Sequence, residues 1–504
     1  MESVPESPQT DPAPGLTDAE TGITGLDNVL GGGLTRNRLY VAEGVPGSGK
    51  TTLALRFLIE GARAGEPVLY ITLSETEEEL RAAARSHGWS LDGVTIRQIA
   101  PAPESLQPGS QYTMFHPSEV ELGETIRVVL TEVERSKPAR VVVDSLSELR
   151  LLAGNPLRYR RQILVLKQFF SGQQSTVLLL DDLTAADHDL QVQSIAHGVL
   201  HLDQIPSDFG SERRRLRIIK YRGRAYRAGF HDFLIRRGGL EVFPRLVAAE
   251  HRQARPSERM PSGLAALDAL LGGGIDGGTS TLVVGAAGAG KSTLASLFVS
   301  AAATRGQASA MFLFDEAIQT LLTRTAGLGI GLEDHVKAGR VTLQPVDPAE
   351  LSPGEFGQSI RRAVEEKDAR IVVIDSLNGY LNAMPDERFL TVQLHELLTY
   401  LGQQGVATLI IGAHQGLIGS QMKTPVDASY LADAVLLLRY FEAGGEVRQA
   451  ISVMKKRGGE HERTIREFRL ANGTIEVGEP LRKFRGVLTG VPLYESGDPP
   501  ILRQ

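Results

Sequence analysis

Short, nearly uninterrupted apolar runs recur along this chain, each followed by a longer stretch with one apolar face. Arg38-Leu-Tyr-Val-Ala42 leads towards Thr52–Ala62, Pro67-Val-Leu-Tyr-Ile-Thr-Leu73 towards Glu77–His87, and Ser280-Thr-Leu-Val-Val284 towards Thr293–Ala301. A run that is apolar at every position fits a strand buried on both faces, and alternation with amphipathic helices fits a parallel sheet covered on both sides. The expected fold class is therefore α/β. The periodicity lapses in three places. Residues 1–20 are rich in Pro, Ser, Asp and Glu and read as a disordered acidic tail; residues 248–260 read as a polar linker; residues 481–504 read as a Gly- and Pro-containing tail. Two domains remain between these breaks, 21–247 and 261–480.

The two domains are copies of each other. The second trails the first by 241 residues at its front, from Lys50 to Lys291 and from Gly31 to Gly272. Gly25-Leu-Asp-Asn-Val-Leu-Gly-Gly-Gly33 returns as Ala266-Leu-Asp-Ala-Leu-Leu-Gly-Gly-Gly274, and Lys137-Pro-Ala-Arg-Val-Val-Val-Asp144 returns as Lys367-Asp-Ala-Arg-Ile-Val-Val-Ile-Asp375. Repetition on this scale marks a duplicated domain rather than a solenoid of short units.

Within each copy lies a G-x-x-x-x-G-K-[ST] string: Gly44-Val-Pro-Gly47-Ser48-Gly49-Lys50-Thr51-Thr52 and Gly285-Ala-Ala-Gly288-Ala289-Gly290-Lys291-Ser292-Thr293. Glycines allow a tight loop whose N–H groups point at phosphate oxygens, and the following helix adds the positive end of its dipole. Lysine reaches the β- and γ-phosphates and the hydroxyl of Thr51 or Ser292 holds Mg²⁺. Both strings sit between an apolar run and an amphipathic one, the context this loop requires. The chain is expected to bind nucleoside triphosphate, ATP with Mg²⁺, twice. Asp144 and Asp375 end apolar strands in the manner of a Walker B carboxylate and complete the expected metal set with Thr51 and Ser292.

Hydrolysis also needs a group that orients water. Ser74-Glu75 and Asp315-Glu316 stand at matching positions beyond the next strand, which makes Glu75, Asp315 and Glu316 the candidate catalytic acids. An acidic residue here could instead begin a helix, where the dipole favours it. Near the end of each copy, Lys220-Tyr-Arg222 and Lys455-Lys-Arg457 follow the strand-like runs Leu216–Ile219 and Ala450–Val453. Alternation puts both cations of K-x-R on one side, where they could stabilise phosphoryl-transfer charge from a neighbouring subunit; the alternative is a solvated basic edge.

Composition narrows the class further. The 504-residue chain has 42% hydrophobic and 23% charged residues and no cysteine, so disulfides and cysteine-ligated metal centres are excluded. No apolar run is long enough to span a bilayer and no signal-peptide pattern opens the chain, so a cytoplasmic location without membrane association is expected. A formal net charge of −6 gives no general attraction to nucleic acid, which makes a nucleic-acid partner an unlikely expectation.

With these residues in view, the chain resembles the KaiC family of double-domain RecA-like ATPases from about Thr21 to Pro492. The resemblance rests on Gly65-Glu-Pro-Val-Leu-Tyr-Ile-Thr, Arg85-Ser-His-Gly-Trp89, Glu212-Arg-Arg-Arg, Lys220-Tyr-Arg-Gly and Thr464-Ile-Arg-Glu-Phe468. It implies two tandem RecA-like domains, a double-ring homohexamer with ATP between adjacent subunits, and a signalling or timing role read by a partner protein. Glu75 and Glu316 match the second of two adjacent glutamates. Ser74 and Asp315 match the first, the more directly catalytic one, so first-domain hydrolysis is either lost or dependent on Glu75. Family members phosphorylate themselves on an adjacent Ser-Thr pair in the second domain. Ser429 matches the serine as candidate phosphoacceptor, and Tyr430 replaces the threonine, so a two-site cycle cannot run unaltered. The stretch after Pro492 is shorter than the family's tail, and the stimulating partner that binds that tail is not expected. Three classes stay open: an ATPase with serine/threonine autokinase activity, a nucleotide-dependent switch or scaffold without kinase activity, and a DNA-acting motor.

Overall fold

The computed structural model describes residues 18–99, 117–183, 190–206, 210–251, 258–382, 387–413, 430–471, 473–489 and 493–494. The chain divides between Arg245 and Leu246 into two units. In the first, a nine-stranded sheet is built from β1 (Leu39–Gly44), β2 (Val68–Thr72), β3 (Val94–Gln98), β4 (Arg140–Asp144), β5 (Thr176–Asp182), β6 (Gly198–Ile205), β7 (Arg213–Tyr221), β8 (His231–Arg236) and β9 (Gly239–Phe243). Their order is β3-β2-β4-β5-β1-β6-β7-β8-β9. β3 to β6 along that order run parallel, and β7, β8 and β9 continue the sheet antiparallel.

The second unit repeats this. β10 (Ser280–Gly285), β11 (Ala308–Leu313), β12 (Val341–Pro345), β13 (Ala369–Asp375), β14 (Ala407–Ala413), β15 (Ala434–Ala443), β16 (Glu446–Lys456), β17 (Arg466–Ala471) and β18 (Thr474–Pro480) follow the order β12-β11-β13-β14-β10-β15-β16-β17-β18. Both sheets are thus mainly parallel with an antiparallel extension, as the apolar runs implied.

Strand alternation explains why the runs are apolar throughout. Tyr40, Ala42, Val142 and Leu178 join the core beneath the helix Lys50–Arg63, while Leu39, Val41, Val141, Val143, Val177 and Leu179 join a second core on the opposite face. In the second unit Ile371 and Val373 pack on one face, Val372 and Ile374 on the other. Each fully buried side chain of this size contributes about 1.5–3 kcal/mol, so neither face tolerates a polar residue without a partner.

Asp18–Ala19 pairs with Leu34–Thr35, and Arg259–Met260 pairs with Ile275–Asp276, so each repeat opens with the same small ribbon. The stretch read as a linker also begins with a 3₁₀ turn, Ala248–His251, whose Ala248 is buried with Tyr400 and Leu401 in the second unit. Within the expected C-terminal tail, Phe484–Arg485 pairs with Leu493–Tyr494 and Val487 is buried beside Phe441. Among the described residues no helix is long and apolar enough to cross a membrane.

One buried histidine gives the first domain a pH-dependent stability. His231 Nδ1 accepts the Arg245 N–H at 2.8 Å and its Nε2 lies 2.9 Å from the Arg227 carbonyl, so both nitrogens are satisfied by the neutral ring. Burial lowers its pKa to about 4 from 6.5. The unfolded chain takes up a proton near pH 6.5 and the folded one only near 4, so stability is lost as pH falls through that window, by about 3 kcal/mol. Between pH 7.5 and 4.5 denaturant melts should show the wild type losing more stability than His231→Gln, because the other shifted groups of this domain, His197, Asp27 and Asp181, are common to both chains; equal losses would refute it.

Candidate nucleotide sites

In each domain the phosphate loop joins the end of the central parallel strand to a helix whose first residue is the motif lysine. Gly49 (φ 100°) and Gly290 (φ 94°) cap those helices in the left-handed region. A Cβ on Gly49 would lie 2.8 Å from Ile235 Cδ1, and one on Gly290 would lie 2.7 Å from Leu470 Cδ1. Only glycine fits here, because the antiparallel strands β8 and β17 press on the loop from the far edge of the sheet.

Both lysines are buried and wrapped by their own loops. Lys50 Nζ donates to the Gly44 and Val45 carbonyls at 2.9 Å each, and Lys291 Nζ to Gly285 at 2.9 Å and Ala286 at 2.7 Å. Around the second loop a cleft of about 520 Å³ is lined by Gly290, Lys291, Ser292, Arg324, Leu328 and Leu470. Its size suits a nucleotide.

The Walker carboxylates lie on β4 and β13, beside the loops, and the peptide bond after each is cis. Burial raises the pKa of Asp144, with the negative charge of Asp182 adding to it; the Tyr70 and Thr51 hydroxyls and Lys50 oppose. Asp375 is raised by burial and then by Glu316 and Asp315, against a hydrogen bond to Ser292 and the charge of Arg324. Thr51 and Asp144 therefore meet in one domain, and Ser292 and Asp375 in the other. Tyr70 Oη donates to Asp144 Oδ2 at 2.5 Å, whereas Met311 holds the matching position in the second repeat and Asp375 Oδ2 is buried without a partner. An orphaned carboxylate oxygen beside a serine hydroxyl fits a hard divalent cation, which would complete it and reverse the upward pKa pressure.

The candidate acids sit just before helices rather than inside their first turns. Thr76 caps Glu77–Ser86 and Ala317 precedes Ile318–Gly327, so Glu75 and Glu316 each lie one residue outside the cap. Glu75 is half-buried, and burial, then Asp144, Glu79 and Asp182, push its pKa up. Glu316 is engaged differently: Arg324 donates to both its oxygens at 2.8 and 2.9 Å. That fork has no counterpart in the first repeat, where Ala83 stands at the matching position. Asp315 accepts from the Ser376 hydroxyl, next to the Walker Asp375. Asp315 and Glu316, adjacent in sequence, thus have separate attachments, one to Ser376 beside the Walker strand and one to Arg324.

The K-x-R cations stand together, but away from their own phosphate loops. Lys220 donates to the Gln193 and Ser194 carbonyls at 2.7 and 3.0 Å, and Arg222 to Ser194 at 2.9 Å. Lys455 donates to Ala432 at 2.7 Å and Arg457 to Tyr430 at 3.0 Å, with Asp433 at 3.5 Å. Register puts Lys220 opposite Val199, which is level with Val41, while Gly44 is level with Leu202. Lys220 is therefore about 10 Å back along the strands and about 10 Å across from the start of its own loop. The second repeat has the same offset, Lys455 opposite Val435 and Val435 level with Leu282. Ser429 lies outside the described residues; its neighbour Tyr430 is exposed.

Three engaged residues escaped the sequence reading: Tyr70 on Asp144, Arg324 on Glu316, and Asp182, whose carboxylate lies 2.7 Å from Lys50 Nζ. The signal for Asp182 was present in Thr176-Val-Leu-Leu-Leu-Asp-Asp182, an apolar strand ending in carboxylates like the Walker B strand itself. It has no partner in the second repeat, so comparison of the copies passed over it.

Two mainly parallel sheets, each with a phosphate loop on a central strand and a Walker carboxylate two strands away, define a tandem RecA-like P-loop ATPase. The family model described as "ATPase: KaiC" matches residues 19–247 and 260–482, and the chain belongs to the KaiC family. It is 27% identical over 490 residues to "Circadian clock protein KaiC3" of Synechocystis sp., covering 95% of each chain. It is also 26% identical over 522 residues to "Circadian clock oscillator protein KaiC" of Parathermosynechococcus lividus, covering 97% of this chain and 94% of the relative. The protein of that name from Thermosynechococcus vestitus is 26% identical over 513 residues, 99% of this chain and 96% of the relative.

Proposed function

We propose that this chain binds ATP with Mg²⁺ in both domains, hydrolyses it at the interfaces of a double-ring homohexamer, and transfers phosphate to Ser429. The observation that carries the ATP-site reading is the meeting of loop hydroxyl and Walker carboxylate in both copies, Thr51 with Asp144 and Ser292 with Asp375. Mg²⁺ held there would neutralise phosphate charge in the transition state. The loop N–H groups and Lys50 or Lys291 bind the phosphates. Glu75 in the first domain and Asp315 in the second orient the attacking water, and Arg324 keeps Glu316 in place. Lys220, Arg222, Lys455 and Arg457 act on the site of the adjacent subunit, a role supported by their distance from their own loops.

Arg457 also joins its finger to the segment of the candidate phosphoacceptor, through the carbonyl of Tyr430. The nucleotide or phosphorylation state would then be read by a partner protein in a signalling or timing pathway. Tyr430 in place of threonine favours a second reading, a nucleotide-dependent switch without kinase activity. Intact-mass and phosphopeptide analysis after incubation with Mg-ATP separates the two. One phosphate on Ser429, absent from Lys291→Ala, is expected; ATP turnover with no phosphate on the chain would leave the switch.

A further inference from the structure

The first domain lacks an acid at Ser74, yet three carboxylates still converge on its phosphate loop. Asp182 ends β5, the strand between the loop strand β1 and the Walker strand β4, and is level with Gly44. Its carboxylate is 2.7 Å from Lys50 Nζ. It is also close enough to Glu75 and Asp144 to raise the pKa of both. In the second domain the position level with Gly285 is Ala413, and the acid is Asp315 instead. The first site thus has Asp144, Glu75 and Asp182, the second Asp375, Glu316 and Asp315. The number of carboxylates is the same, but one has moved from the end of β2 to the end of β5.

We infer that Asp182 does two things in the first domain: it is the counter-ion of Lys50 when phosphates are absent, and it takes over the water-positioning role that Ser74 cannot perform. This deepens, and rests on, the proposal that the first domain hydrolyses ATP. When ATP enters, Lys50 exchanges the carboxylate for the β- and γ-phosphates. Asp182 is then left beside the terminal phosphate with a free acceptor, next to Glu75, and a water held between them faces the phosphorus. Hydrolysis balances in the ordinary way: the water oxygen bonds to the γ-phosphorus, the bond to the β-phosphate oxygen breaks, and the water proton passes to the carboxylate pair and on to solvent. A carboxylate so placed also repels the incoming phosphates, so the same residue should weaken ATP binding.

The test uses the full chain with Lys291→Ala, reading first-domain turnover and the affinity of a fluorescent ATP analogue. Adding Asp182→Ala is expected to tighten binding severalfold and to lower kcat about tenfold or more. Adding Ser74→Asp to that variant should restore a large part of kcat, which a merely structural Asp182 would not allow. Asp182→Asn, which keeps the shape and loses the charge, should behave like Asp182→Ala. Unchanged kcat in Asp182→Ala, or loss of kcat that Ser74→Asp does not rescue, would overturn the inference while leaving first-domain hydrolysis intact as a reading. A Lys291→Ala chain that binds the analogue without turnover would overturn both for this domain, and the turnover of Lys50→Ala would then show whether the second domain still hydrolyses ATP.

Discussion

Replacing Lys50 and Lys291 together by alanine should reduce ATP turnover to background, with each single variant silencing one domain. Both ammonium groups are buried under their own loops and hydrogen-bonded to loop carbonyls, and alanine supplies no cation in their place. Loss of a preorganised cation or donor at developing phosphoryl charge costs about 10²–10³-fold in rate at each site. The same variants separate binding from folding. ATP at about 100 times its Kd stabilises a folded domain by about 2.7 kcal/mol, and a domain that no longer binds loses that increment. In a thermal melt Lys50→Ala should keep the ATP shift of the second domain and lose that of the first, and Lys291→Ala should do the converse. Full turnover in the double variant would remove the phosphate loops from the reaction.

The second large effect concerns the cations at the other end of each sheet. In a Lys291→Ala background, Lys220→Ala with Arg222→Ala should lower first-domain turnover about 10³-fold or more, as for other trans-acting cationic fingers. Complementation then tests where they act. Chains lacking the fingers keep an intact loop, and chains with Lys50→Ala keep intact fingers, so neither alone turns over. Co-assembled in equal amounts, about a quarter of the interfaces would pair a working loop with working fingers, and turnover should return to about that fraction of the parent. Action within one chain, or a purely structural role as caps on the Gln193 and Ser194 carbonyls, predicts no recovery.

Most of the fold and the phosphate loops was legible because the information is local. Eight contiguous residues make each loop, and runs such as Val141-Val-Val143 are apolar at every position because both faces of the sheet are covered. Duplication carried the rest: Asp144 and Asp375, or Lys220 and Lys455, become persuasive when the same residue returns. That reliance also set the limit. Asp182, Tyr70 and Arg324 each occur in one copy only, opposite Ala413, Met311 and Ala83. Their roles depend on strand order, which brings β5 beside β1, and on side-chain reach within the site, neither of which is written in local sequence. The asymmetry they create is chemical: the two domains share a scaffold but hold their acids in different places.

The most direct measurement of the central claim is the amount of nucleotide bound per chain after equilibration with Mg-ATP and removal of free ligand. Two per wild-type chain, one in Lys50→Ala, one in Lys291→Ala and none in the double variant is the expected result. A wild-type chain that binds one, with Lys50→Ala indistinguishable from it, would contradict the account by showing that the first loop is only a relic of duplication.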